Sequence, residues 1–161
     1  MKVIDLFAGM KGWSSAFADR GHETWTTDFD DRFDVSLVKD ILKITRDDLP
    51  WEPGTPGLVI LASPPCEGFS VMNIGRNWTG PKDDPPHQPK TDTARLALRL
   101  VERTRQIISV MRPEYFIIEN PRAKLRKLPV VEDLERRGIT YCQYGDLGAN
   151  GEPRMKPTDS R

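Results

Sequence analysis

The chain has 161 residues, with 24 lysines and arginines against 24 aspartates and glutamates, and so carries no formal net charge. That length suffices for one domain with a real core, burying roughly 70% of its unfolded-chain surface. Zero net charge excludes a protein held to nucleic acid by bulk charge, so any nucleic-acid surface must be a local patch.

No secretory signal precedes Val3-Ile4, and no apolar run approaches the ~20 residues of a membrane span. Two cysteines, Cys66 and Cys142, do not make a disulfide framework. The expectation is a cytoplasmic protein with reduced thiols. His22 and His87 stand apart from each other and from any cysteine pair, so no metal-ligand set is expected.

Apolar runs alternate with helical patterns along the chain. Lys2 to Phe7 predicts a first strand, followed by a glycine turn and a helix from about Trp13 to Asp19, stopped by Gly21. Glu23 to Thr27 predicts a second strand, ending in the acidic cluster Asp28, Asp30, Asp31. A short segment at Lys39 to Ile41 and a loop from Pro50 to Gly57 lead to the apolar strand Leu58 to Ala62. Glu67 to Lys90 shows no period and predicts a long mobile loop. Thr93 to Met111 is the clearest helix. Its buried face is Ala97, Leu100, Val101, Thr104, Ile107, Ile108 and Met111, and its surface stripe is Arg95, Arg99 and Arg103. Tyr115 to Ile118 predicts a strand, Val130 to Arg137 a helix, and Ile139 to Tyr144 an extended segment. Strands alternating with helices predict a single-domain α/β fold with a mostly parallel, doubly wound sheet.

Three signals carry chemistry. The first is Asp5-Leu6-Phe7-Ala8-Gly9-Met10-Lys11-Gly12, a strand running into a glycine turn and a helix. Gly9 and Gly12 let the backbone turn and let a ligand approach closely, while the helix N-terminus offers unpaired N–H groups. The full dinucleotide fingerprint G-x-G-x-x-G is not met. Asp28, roughly 20 residues on, can accept from ribose hydroxyls or cap a helix. Asp40 can bond an adenine amino group or cap a turn.

The second signal is Ser63-Pro64-Pro65-Cys66, at the mouth of the apolar strand. A thiol there can serve as a nucleophile once deprotonated, or be inert. Cys142, inside an apolar pattern, belongs to packing. The third is Ile118-Glu119-Asn120-Pro121. Glu119 ends another strand, where it caps a turn or works as a hydrogen-bonding acid.

Together these residues resemble the cytosine-5 DNA methyltransferases, in motif type, order and spacing from Val3 to about Tyr144, and most of all the compact bacteriophage type. The resemblance implies a fold of the S-adenosylmethionine-dependent methyltransferase type. It implies that Phe7, Gly9, Gly12, Asp28, Phe29, Asp40 and Pro65 contact S-adenosylmethionine, that Cys66 is the nucleophile, and that Glu119 is the acid. It makes the loop 67–90 a lid over a flipped base, and places Asn120, Arg122 and Lys124 against DNA. The basic cluster Arg122, Lys124, Arg126, Lys127 and the loop aromatics Phe69 and Trp78 lie beside these motifs.

The chain departs from the family pattern in three ways. Lys11 stands where a glycine is common, Pro121 stands where many members carry valine, and the arginine-rich motif is at best echoed by Arg154 and Lys156. It ends at Arg161, where relatives continue into a target recognition domain and a pocket-closing segment. The expectations are therefore a truncated product, a minimal phage enzyme, or a chain completed by a partner or by self-association. The rivals are the same chemistry on RNA, a non-catalytic subunit, and a nicotinamide-dependent oxidoreductase.

Overall fold

A computed structural model describes residues 1–140 and 157–160. Its elements are β1 (Lys2–Leu6), α1 (Ser14–Ala18), β2 (Glu23–Asp28), β3 (Leu37–Val38), β4 (Leu58–Ala62), α2 (Ile74–Asn77), α3 (Asp92–Met111), β5 (Tyr115–Pro121), β6 (Arg137–Thr140) and β7 (Pro157–Ser160). They fall into two compact units. The first is Met1–Pro64 with Arg99–Ile118, the second Pro65–Leu98 with Glu119–Arg161.

The first unit holds a five-stranded parallel sheet in the order β3-β2-β1-β4-β5. Strands β1 and β4 are central, and their apolar runs are buried on both faces, as a parallel sheet requires. Side chains alternate across the sheet. One face sends Ile4, Leu6, Leu58, Ile60 and Ala62 against Ile107 and Met111 of α3. The other sends Val3, Val59 and Leu61 against Trp13 and Phe17, beside and within α1. The sheet is therefore covered on both sides, and the expected doubly wound α/β fold is the observed one. The predicted buried face of α3 is also found: Ala97, Val101, Thr104, Ile107 and Met111 are all buried.

Arg103 departs from the surface stripe assigned to it. Its guanidinium donates to the carbonyls of Ile41 (3.4 Å) and Ile44. It thereby ties α3 to the 3-10 turn Ile41–Lys43, which follows the short edge strand β3.

In the second unit β7 pairs antiparallel with β6 and with the last three residues of β5, Glu119 opposite Ser160 and Pro121 opposite Thr158. The segment 67–90 is more ordered than its sequence predicts. It contains 3-10 turns at Glu67–Phe69 and Val71–Asn73, the single turn α2, and a bridge between Trp78 and Pro89. Its anchors are non-local, which is why no period marks them. Phe69 and Trp78 are fully buried and stack with ring centroids 5.8 Å apart. The Trp78 indole N–H donates to the Gly68 carbonyl at 2.7 Å. Neither ring is a surface platform for a base.

The helix predicted over 130–137 is absent. A 3-10 turn at Pro129–Val131 replaces it, and β6 begins at Arg137. The arginines and Gly138 supply no apolar helical face, so the short turn begun by Pro129 is not extended. Cys142, Tyr144, Arg154 and Lys156 lie outside the described residues. Among those described, no helix is long and apolar enough to cross a membrane, and no cluster of three metal-ligating side chains occurs.

Candidate active site

The sheet register positions the chemistry. Leu6 pairs with Thr27 on one side and with Ala62 on the other, and Ala62 pairs with Ile118. These four residues form one row across four parallel strands. The residues that follow these four in sequence are Phe7, Asp28, Ser63 and Glu119: the first three stand at or just past the carboxyl ends of β1, β2 and β4, whereas β5 continues through Glu119 to Pro121. Open α/β sheets bind ligands at the carboxyl edge, where the strand order reverses. Here the reversal lies between β1 and β4.

In the first unit the glycine turn is strained and firmly held. Phe7, Gly9 and Lys11 adopt left-handed backbone conformations, with φ of 62°, 48° and 60°. Glycine tolerates this without steric cost; Phe7 and Lys11 do not. Lys11 thus occupies a position whose geometry favours glycine, and an exposed ion pair to Asp34 (2.8 Å) tethers its side chain. Gly12 has no such need, because its backbone is not left-handed.

Two carboxylates fasten this turn. Asp28 accepts from the Gly9 N–H at 3.0 Å and from the Asp30 N–H at 3.1 Å. Asp5, 1% exposed, accepts from the Ser14 N–H at 3.1 Å, where α1 begins. Burial pushes the Asp5 carboxyl up, and the bonds from Ser14 oppose it. Asp5 heads the glycine motif in the sequence, but its fastening role is not read there; a lone acid inside the apolar run Val3 to Leu6 is the signal of it. Asp30 is occupied by the Arg32 guanidinium, which holds its carboxyl at about 2. Asp28 is therefore the acid of this cluster bonded to the glycine turn.

The turn suits a close-approaching cofactor. A β-carbon built on Gly9 or on Gly12 meets no atom within 4 Å, so the space over both is open. Phe29, next to Asp28 in sequence, is 71% exposed, an apolar ring with no core to fill. Asp40 caps the Ile41–Lys43 turn through the Leu42 N–H at 3.0 Å, the second of the two roles open to it.

On the expectation, implied by the sequence resemblance, that this turn holds S-adenosylmethionine, removing the Asp28 carboxylate should weaken that binding roughly tenfold to a hundredfold, since hydrogen bonds to a charged group contribute about 1.5–3 kcal/mol. Calorimetric titration of Asp28→Ala is the measurement, and an unchanged Kd would remove Asp28 from the cofactor site.

In the second unit Cys66 is exposed and heads the 3-10 turn Glu67–Phe69, its carbonyl accepting from the Phe69 N–H at 2.9 Å. Pro65, also exposed, precedes it. Glu119 is half-buried and Asn120 is 3% exposed. Arg122 is exposed, as a phosphate contact requires.

Lys124 is not placed as expected. Only 3% exposed, its ammonium lies over the Trp78 ring at 5.4 Å and bonds the Thr79 carbonyl (3.3 Å) and His87 Nδ1 (2.8 Å). Burial, then the charge of Lys127, lowers its pKa. A buried ammonium with these partners is an internal strut, closed to a DNA backbone. Its flanking residues, Ala123 and Leu125, are the signal that the basic run turns inward there.

Comparison with known proteins follows the same lines. Over 160 residues, 96% of the chain, the sequence is 32% identical to a probable DNA (cytosine-5)-methyltransferase of Frog virus 3 (isolate Goorha), and it covers 69% of that protein. The structure resembles that of a putative DNA modification methyltransferase encoded within an E. coli prophage, with a TM-score of 0.61 and 19% identity. The match takes in 99% of this chain but 45% of the prophage protein, so the chain spans less than half its length. No protein-family model matches the sequence.

Proposed function

Because the chain belongs to the DNA (cytosine-5)-methyltransferase family, we propose that it transfers a methyl group from S-adenosylmethionine to carbon 5 of cytosine in DNA, with Cys66 as nucleophile and Glu119 as acid. The observation that supports this reading is the register row of Leu6, Thr27, Ala62 and Ile118, which are followed in sequence by Phe7, Asp28, Ser63 and Glu119.

The first unit holds the cofactor. Gly9 and Gly12 leave its space open, Asp28 accepts from the ribose hydroxyls, Phe29 lies beside the adenine, and Phe7 completes the contacts. When bound, S-adenosylmethionine supplies an electrophilic methyl group.

The second unit carries the base chemistry. A cytosine inside the duplex stack is out of reach, so the target base is extruded. The Cys66 thiolate adds to carbon 6 while Glu119 engages ring nitrogen 3, which makes carbon 6 more electrophilic. Addition makes carbon 5 nucleophilic. After methylation carbon 5 loses its proton, and the thiolate departs as the 5,6 double bond re-forms.

DNA containing 5-fluorocytosine tests this route. Fluorine cannot leave carbon 5 as a cation, so elimination stalls and the protein stays bonded to DNA through Cys66. The expected result is a cofactor-dependent, denaturant-resistant adduct on a gel, mapped to the Cys66 peptide. Methylation of ordinary DNA without any adduct on the fluorinated substrate would overturn the carbon-5 mechanism. Methylation of tRNA in preference to DNA would move the same chemistry to RNA.

A further inference from the structure

The second unit contains a cleft of about 580 Å³ bordered by His87, Arg126, Lys127, Glu132 and Arg136. Among the described residues its border carries Arg126, Lys127 and Arg136 against Glu132, in a chain whose formal charge is zero. The Lys124 strut is joined to its border through His87. An ammonium has only hydrogens to offer, so His87 Nδ1, 2.8 Å from Lys124 Nζ, is the acceptor. A neutral imidazole accepting at Nδ1 carries its proton on Nε2. His87 therefore borders the cleft as a fixed N–H donor. It is held there in a left-handed backbone conformation, φ 57°, that side-chain-bearing residues rarely adopt. The strut is also joined to the catalytic turn, since the Lys124 backbone N–H donates to the carbonyl of Phe69, three residues after Cys66.

We propose that this cleft is a docking groove for the phosphodiester backbone of the DNA duplex, with Lys127 and Arg136 neutralising phosphates and the His87 Nε2–H donating to a phosphate oxygen. The cleft is far larger than one phosphate, which favours a run of backbone over a free ion. Phosphate contacts carry no sequence information directly, so their part is to fix the register of the duplex relative to the Cys66 turn. This inference rests on DNA being the substrate.

The test is fluorescence anisotropy of labelled duplex DNA over a salt series, with the whole chain and the double variant Lys127→Ala/Arg136→Ala. Both residues are exposed, so their removal leaves the fold intact. Each phosphate contact contributes about 0.9 to the slope of log affinity against log salt. The double variant should lose close to two units of slope and bind every sequence more weakly by the same factor, with S-adenosylmethionine affinity unchanged. Arg99→Ala, on the exposed face of α3, should match the wild type. His87→Ala should weaken binding and His87→Gln, which keeps a donor, should restore it.

Wild-type affinity and slope in the double variant would overturn the groove while leaving DNA as substrate. A wild-type chain that binds S-adenosylmethionine but no duplex would overturn both. Tripolyphosphate binding to the cleft without displacement by duplex DNA would make it a free-anion site and end the proposal.

Discussion

Cys66→Ser should abolish methyl transfer, by at least about a thousandfold, and leave S-adenosylmethionine affinity unchanged. A serine hydroxyl is a far poorer nucleophile than a thiolate at neutral pH, and removing the nucleophile of a covalent mechanism costs several orders of magnitude. The structure sharpens the second half of this expectation. Cys66 is exposed, and it is the Cys66 carbonyl, which serine keeps, that accepts from the Phe69 N–H. The residues assigned to the cofactor, Pro65 apart, lie in the other unit. The pair of measurements is tritiated methyl incorporation and calorimetry on the same preparations, with wild type alongside. A serine variant that methylates at the wild-type rate removes Cys66 from the nucleophile's role. One that also loses the cofactor makes Cys66 a structural residue.

Gly68→Ala should destabilise the protein by about 3 kcal/mol, the upper end of what overpacking costs. Gly68 is not in a left-handed conformation, so the turn itself does not demand glycine. The demand comes from proximity. A β-carbon there would overlap the Ala97 methyl and sit 2.9 Å from the Thr93 carbonyl oxygen, both on α3. Neither can retreat, since one is a short side chain and the other backbone within a helix. The Gly68 carbonyl also accepts from Trp78 and, at 3.3 Å, from the Asn77 amide, so displacing it disturbs the buried aromatic pair. For a chain of this size the melting temperature should fall by roughly 6–12 °C. Thermal unfolding followed by circular dichroism gives the answer, and an unchanged midpoint would show that the turn and α3 are not packed as described.

The parallel sheet was legible because its central strands are buried on both faces, and such strands show in sequence as unbroken apolar runs. Leu58 to Ala62 needed nothing else. Helix α3 declared itself by period. The 67–90 segment did not, because Phe69, Asn77 and Trp78 are held by contacts far apart in sequence, and no local pattern encodes them. The same reason hid Arg103, whose partners are carbonyls some sixty positions earlier. The candidate site was visible through residue types at strand ends. What remained hidden was which charges turn inward: Asp5 and Lys124 are both buried, and charge in a sequence carries no direction. Strand β5 was foreseen only to Ile118, since beyond that residue its partner changes from β4 to β7.

That sheet has a kinetic consequence. Lys2 pairs with Leu58, and Val59 with Tyr115, each join closing 56 residues of chain. Helical segments form early and locally, but the centre of this sheet cannot exist until three distant stretches meet. Until then Val3-Ile4 and Leu58 to Ala62 are apolar segments with every backbone hydrogen bond unmade, the kind of stretch that pairs with another molecule if its own partner is late. The assembly of this sheet is therefore the step at which the chain is most exposed to pairing with another molecule.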